Sequence, residues 1–185
     1  NKARGTIVIE KETVTGAGSF NFTSTTLTPA SWTLTTTGAG EAGVDSETFS
    51  NLVPGTYDAG ETVPDNWNLD SATCDDGSSV DAIGLSGGET VTCRFVDSQE
   101  TGAIEITKTR KHAATPANDA HAGVTFTISG GSLDDPVEVV TDANGVACYD
   151  GLLDGSYTVT ESVPPGYVSD DAEKSASVTA ESSCG

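Results

Sequence analysis

"GTIVIEK" occupies residues 5–11, and residues 102–108 repeat it as "GAIEITK". Both read as β-strands, short runs of β-branched residues opened by a glycine. Successive side chains of a strand point to opposite faces, so Ile7, Ile9 and Lys11 share one face, as do Ile104, Ile106 and Lys108. A lysine therefore points where the isoleucines point, in a chain that has only 8 Lys and Arg among 185 residues.

A second repeat is longer. "NLVPGTYDAGETVPDNW", residues 51–67, aligns without a gap on "GLLDGSYTVTESVPPGY", residues 151–167. Leu52 meets Leu152, Gly55 meets Gly155, Tyr57 meets Tyr157, Glu61 meets Glu161, and Trp67 meets Tyr167. Two copies of one module follow from this self-similarity. The polar stretch "VDSQETG", residues 96–102, serves as a linker, so the modules are residues 1–99 and 100–185. Other apolar residues fall in short alternating runs such as "SFNFTST", "SWTLTTT", "ETVTCRFV", "GVTFTIS" and "SYTVTE", bounded by Gly, Pro, Asn or Asp. The pattern predicts an all-β chain of two tandem β-sandwiches. Asn144-Gly145 predicts a tight hairpin between "VEVVTDA" and "VACYDG".

Composition narrows the function. The formal net charge is −20, which repels nucleic-acid phosphates and anionic membrane surfaces. No apolar run reaches bilayer length, so membrane insertion is not expected of this segment; the chain reads as a processed or excised ectodomain. Cys74, Cys93, Cys148 and Cys184 divide two and two between the modules, with no metal-knuckle spacing. Of the three pairings four cysteines allow, Cys74–Cys93 and Cys148–Cys184 keep each module's count even, as in an oxidising compartment.

Alternation also places acids among the apolar residues. In "VTCRFVD", residues 91–97, Val91, Cys93, Phe95 and Asp97 share a face, and Tyr57, Ala59 and Glu61 share another. Lys11, Glu61 and Asp97 are thus candidates for one interior. Burial disfavours ionised groups, leaving a neutral amine beside a protonated acid as a reactive pair. Attack of the Lys11 amine on the Asp97 carboxyl carbon, with loss of water, gives an amide between first and last strands, and Glu61 is placed to shuttle protons. The competing reading is a lysine at its strand's end that snorkels to water and forms an ordinary ion pair.

The lysine closing the first strand, together with Leu-x-x-Gly-x-Tyr-x-x-x-Glu-x-Val-Pro-x-Gly-Tyr over Leu152–Tyr167, resembles the collagen-adhesin B-type domains of Gram-positive pilins and adhesins. The resemblance covers both modules nearly end to end. It implies an Ig-like, Greek-key, prealbumin-like sandwich in which the lysine bonds to an Asn or Asp of the last strand under catalysis by the glutamate. Carried over, it gives Lys11, Glu61 and Asp97 in module 1, and Lys108 and Glu161 in module 2. Module 1 departs by having "ETVPDNW" in place of a Gly-aromatic pair, and Asp as acceptor. Module 2 stops 24 residues after Glu161 and shows no acceptor. It is expected to lack its last strand, leaving a groove for one from the same chain or a neighbour.

Other features carry less. "TDANG", residues 141–145, has Leu153 where a calcium loop needs a glutamate, and His112 and His121 lie in a polar loop, so neither metal nor cofactor is expected. Asn21 in "NFT" fits a glycosylation pattern. No catalytic triad or phosphate loop is present, so the chain is not expected to be an enzyme. The reading is a structural module of an extracellular surface filament, pilus or adhesin stalk, whose partners are copies of itself or neighbouring surface modules. The alternative is an adhesive, ligand-binding module.

Overall fold

β1 (Gly5–Thr13) is buried at every second residue, as its alternation requires. In a computed structural model it is followed by β2 (Ser19–Thr23), β3 (Ser31–Thr35), β4 (Asp45–Leu52), β5 (Gly55–Tyr57), β6 (Gly60–Thr62), β7 (Trp67–Cys74), β8 (Ile83–Leu85) and β9 (Thr90–Gln99). The second half holds β10 (Thr101–Thr107), β11 (Thr109–His112), β12 (Thr115–Ala120), β13 (Thr125–Gly130), β14 (Val137–Val140), β15 (Val146–Leu153), β16 (Gly155–Glu161) and β17 (Glu173–Val178). The structure describes residues 3–112, 115–169, 172–180 and 182–184, with the backbone alone for 112 and 115–117. The chain divides into two compact units, residues 1–99 and 100–185.

In module 1 one sheet has the order β4-β1-β9-β7 and faces β3-β2-β6, with β5-β8 completing the wall. β1 runs antiparallel to β4 but parallel to β9. Ile7, Ile9, Val91 and Phe95 on the first sheet pack against Phe20 and Phe22 on the second. On the outer face Arg94 binds Glu10 Oε2 at 2.8 Å and Glu12 Oε2 at 3.1 Å, and also pairs with Glu41. "GTYDAGE" is two short strands rather than one, because Asp58 turns aside to accept hydrogen bonds from Thr25 N and from the Thr25 and Thr26 hydroxyls.

Module 2 repeats this plan with fewer strands. β10 pairs with β15 as β1 does with β4, while β13 lies between β14 and β16. β17 corresponds to β8: Gly155 and Tyr157 face Val178 and Ala176, as Gly55 and Tyr57 face Leu85 and Ile83. Among the described residues no strand of module 2 takes the places of β7 and β9, and β10 has β15 as its one strand neighbour.

Further sequence expectations are corrected: residues 96–102 are not a loop but the end of β9 and the start of β10, with residue 100 alone between them. Asn144-Gly145 does turn the chain, with Gly145 at φ 76° and Asp142 Oδ1 accepting from Asn144 N and Val146 N. The flanking strands then part, β14 to β13 and β15 to β10, so the turn is a corner between sheets and not a hairpin. The polar stretch around residue 112 is itself a hairpin, β11–β12. The side chain of His112 lies outside the described residues, and His121 is buried.

Candidate functional site

Lys11 is 0% exposed in the middle of module 1. β1 delivers it on the face that carries Ile7 and Ile9, and parallel β9 delivers Asp97 on the face that carries Val91, Cys93 and Phe95. Glu61 comes from the opposite sheet, where β6 sets it across from Phe22 of β2. All three side chains are sealed from solvent. Lys11 Nζ donates to Asp97 Oδ1 and lies 2.9 Å from Glu61 Oε1. The Phe20 ring caps the amine, its centroid 4.1 Å from Nζ, which shields the cation with a π-face in place of water.

Asp97 Oδ2 and both Glu61 oxygens have no hydrogen-bond donor among the described residues. The Glu61 contact to Nζ is close but off the line of a hydrogen bond. Burial pushes the Glu61 carboxyl up to about 7; Lys11 works against this and Asp97 adds to it. Two carboxyls and one amine in a dry pocket share a deficit of donors, the condition under which a proton on Glu61 becomes the missing donor. Chemically the trio can do one thing that a lone ion pair cannot: hold an amine against a carboxyl carbon with an acid beside both.

Module 2 brings Lys108 and Glu161 together without a third member among the described residues. Glu161 faces Phe126 across β16–β13, as Glu61 faces Phe22. Lys108 Nζ lies 2.8 Å from each Glu161 oxygen, and Ser169 Oγ donates to Oε2 at 2.8 Å. The Lys108 side chain is 22% exposed. The resemblance left its partner unseen; in the structure the ammonium is held by the module's own glutamate.

His121 was missed as a site residue. Its ring packs on Tyr167 at 4.6 Å, a contact like that of Phe20 with Trp67 at 5.0 Å in module 1, although the shared register makes Val124 the counterpart of Phe20. Tyr167 aligns with Trp67, and that repeat was the available signal; the polar neighbours of His121 hid it.

Both disulfides are present. Cys74 and Cys93 are directly opposed on β7 and β9, and Cys148 of β15 joins Cys184. Asn21 is exposed mid-strand, its Oδ1 accepting from Thr33 Oγ1 at 2.8 Å. Asp142 holds its carboxyl below the ordinary range by accepting from the backbone N–H groups of Val146 and Asn144, which close the turn. Among the described residues no cluster of three or more His, Cys, Asp or Glu side chains is placed to hold a metal, and no helix is long and apolar enough to cross a membrane.

Family models described as prealbumin-like fold domains match residues 7–110 and 102–184. The chain belongs to the prealbumin-like fold domain family. No curated protein matches the sequence. Among solved structures, the Bacillus anthracis TIE protein is similar at TM-score 0.59 and 25% identity; the match covers 96% of this chain but 31% of that one. The minor pilin GBS52 of Streptococcus agalactiae is similar at TM-score 0.42 and 16% identity, covering 98% of this chain and 92% of the pilin. The shaft pilin of Lactobacillus rhamnosus GG, as its D295N mutant, is similar at TM-score 0.36 and 17% identity, covering 98% and 97%. Both prealbumin-like modules set their lysine beside a glutamate of the facing sheet; among the described residues, only module 1 adds an aspartate.

Proposed function

We propose that the chain is a structural segment of an extracellular surface filament, pilus or adhesin stalk, with module 1 locked by an amide bond between Lys11 and Asp97. The burial of Lys11, Glu61 and Asp97 in one water-free contact carries this reading. With Glu61 protonated, the Lys11 amine adds to the Asp97 carboxyl carbon; Glu61 takes a proton from nitrogen and returns one to the departing oxygen. One C–N bond forms, one C–O bond breaks, and one water leaves.

The topology gives that bond a mechanical purpose. β1 and β9 run parallel, so tension applied at Gly5 and Gln99 shears their ladder along its length. A covalent link from residue 11 to residue 97 passes the load between the strands and spares everything between. Disulfides and a strongly acidic surface suit an oxidising, solvent-exposed setting at the cell surface. Partners on this reading are neighbouring copies or surface modules.

Intact mass under non-reducing conditions tests the proposal. The expected mass is one water below that of the chain with two disulfides, and peptide mapping places the loss on a Lys11–Asp97 peptide pair. A mass with only the disulfide hydrogens missing overturns it.

A further inference from the structure

The Phe20 ring that caps Lys11 is held from behind. Gly18 stands two residues before it, and the space a side chain would need there is already taken. A Cβ built on Gly18 would lie 2.8 Å from Phe20 Cε2, 2.9 Å from Phe20 Cζ and 2.9 Å from Trp67 Cζ2, closer than a methyl group can sit without displacing its neighbours. Gly18 is not among the glycines with positive φ, so it serves here for space and not for conformation. The ring has little room to retreat: Phe20 is fully buried, Trp67 meets it edge-on at 5.0 Å, and Lys11 Nζ lies 4.1 Å from its centroid.

Gly18 is itself braced. Its N–H donates to Thr36 Oγ1 at 2.9 Å, and its carbonyl accepts from Thr36 N at 2.9 Å. Thr13 Oγ1 lies 3.2 Å from Thr36 Oγ1, and both threonines are buried. Thr13 stands directly opposite Asp97 across the β1–β9 ladder. One pair of buried hydroxyls thus ties the residue behind the cap to the residue beside the acceptor.

Module 2 supplies the contrast. Val124 N donates to Thr141 Oγ1 and Thr141 N to Val124 O, both at 3.0 Å. The brace there falls on the register counterpart of Phe20 itself, a valine, and among the described residues no ring caps Lys108. Bracing the chain two residues before a ring is the arrangement of module 1.

The geometry points to Gly18, braced by Thr36, as a positioning residue for the Lys11–Asp97 amide. The Phe20 ring comes from the facing sheet, so it confines Nζ to the side of its own sheet, where Asp97 stands. Gly18 acts through that ring, by giving it room to lie against the amine. Groups held at contact distance owe much of their rate to placement, and a displacement of about 1 Å costs on the order of 100-fold. The inference rests on the amide proposed above and names what aims it.

The test is a double-mutant cycle on the full chain, held unfolded and unlinked in denaturant, then diluted into refolding buffer, with water loss followed by intact mass. G18A and F20L are each expected to slow amide formation at least tenfold, and G18A/F20L to be no slower than the slower single variant, because both remove one cap. L85V, which trims the same core where Leu85 packs on Gly5, is expected to stay within twofold of the parent. A G18A or F20L chain that links at the parent rate, or a double variant slowed by the product of the two single effects, overturns the proposal. T36V is expected to slow the reaction while T36S keeps the parent rate; should G18A not fold, equal rates for these two overturn it. If the parent itself keeps its water, the amide reading fails, and placement is read from the Lys11 ε-proton resonances, which the face of a ring shifts upfield. G18A should then at least halve that shift, and an unchanged shift overturns the proposal.

Discussion

Asp97 stands opposite Thr13, not opposite Lys11, across the parallel β1–β9 ladder. The acid is therefore displaced two residues along the strand, about 6.6 Å, a span that an extended lysine side chain leaning along its strand covers. An acid directly opposite Lys11 would force the amine to fold back on itself. Phe95 takes that place, and its ring meets the ring of Phe22 at 5.1 Å. Register thus sets a straight lysine against its acceptor and walls the pair with aromatic rings.

Replacing Glu61 by Ala should leave Lys11 and Asp97 paired and the sandwich folded, while the proton carrier is gone. The expected result is a chain that retains the water lost by the parent, with an unchanged far-UV circular dichroism spectrum. Full water loss in E61A would remove the glutamate from the chemistry.

Bond formation should follow the Glu61 carboxyl. Burial raises it to about 7, so in the folded module it keeps its proton from the ordinary carboxylate range up to that pH. The trio then holds a proton for the leaving oxygen below about 7 and loses it above. After refolding of unlinked chain, the rate of water loss measured by mass should fall as pH rises from 6 to 9. A rate that climbs across that interval would contradict this assignment.

Lys11→Met tests the electrostatics of the same pocket. Against the unlinked E61A chain as a guide to the ion pair alone, it leaves buried acid without its cation, and breaking a buried pair costs about 3–5 kcal/mol. Without its cation Glu61 is best buried protonated, so it binds a proton folded that it has released unfolded, and stability should recover as pH falls from about 7 toward the ordinary carboxylate range. Urea denaturation at pH 5 and pH 8 checks both the size and the sign. Equal losses at the two pH values would mean that Glu61 and Asp97 had escaped to solvent.

Much of this site could be read from the chain. Alternation placed Ile7, Ile9 and Lys11 on one buried face and Val91, Cys93, Phe95 and Asp97 on another, because strand period is a local property. Glu61 and Glu161 emerged from the ungapped repeat. What escaped was mostly non-local. Asn144-Gly145 marks a turn but cannot say that β14 and β15 join different sheets, and a run of polar residues cannot announce the β11–β12 hairpin. His121 read as loop because its partner, Tyr167, lies 46 residues away in sequence.

Tension offers the sharpest test of the proposed function. Lys11 and Asp97 are 86 positions apart, and unfolding an unlinked module 1 releases the chain between them, roughly 290 Å at about 3.4 Å per residue. With the amide in place, force entering at Gly5 and leaving at Gln99 travels through residues 5–11, the cross-link and residues 97–99. The intervening strands carry no load. Single-molecule stretching of module 1 between inert handles should therefore show no unfolding step of that length for the parent chain. The K11M variant should show one, shortened by the residues that the Cys74–Cys93 disulfide encloses, and regain the full length on reduction. A parent module that extends like K11M would mean that its first and last strands are held by their ladder alone, and the stalk reading would lose its mechanical basis.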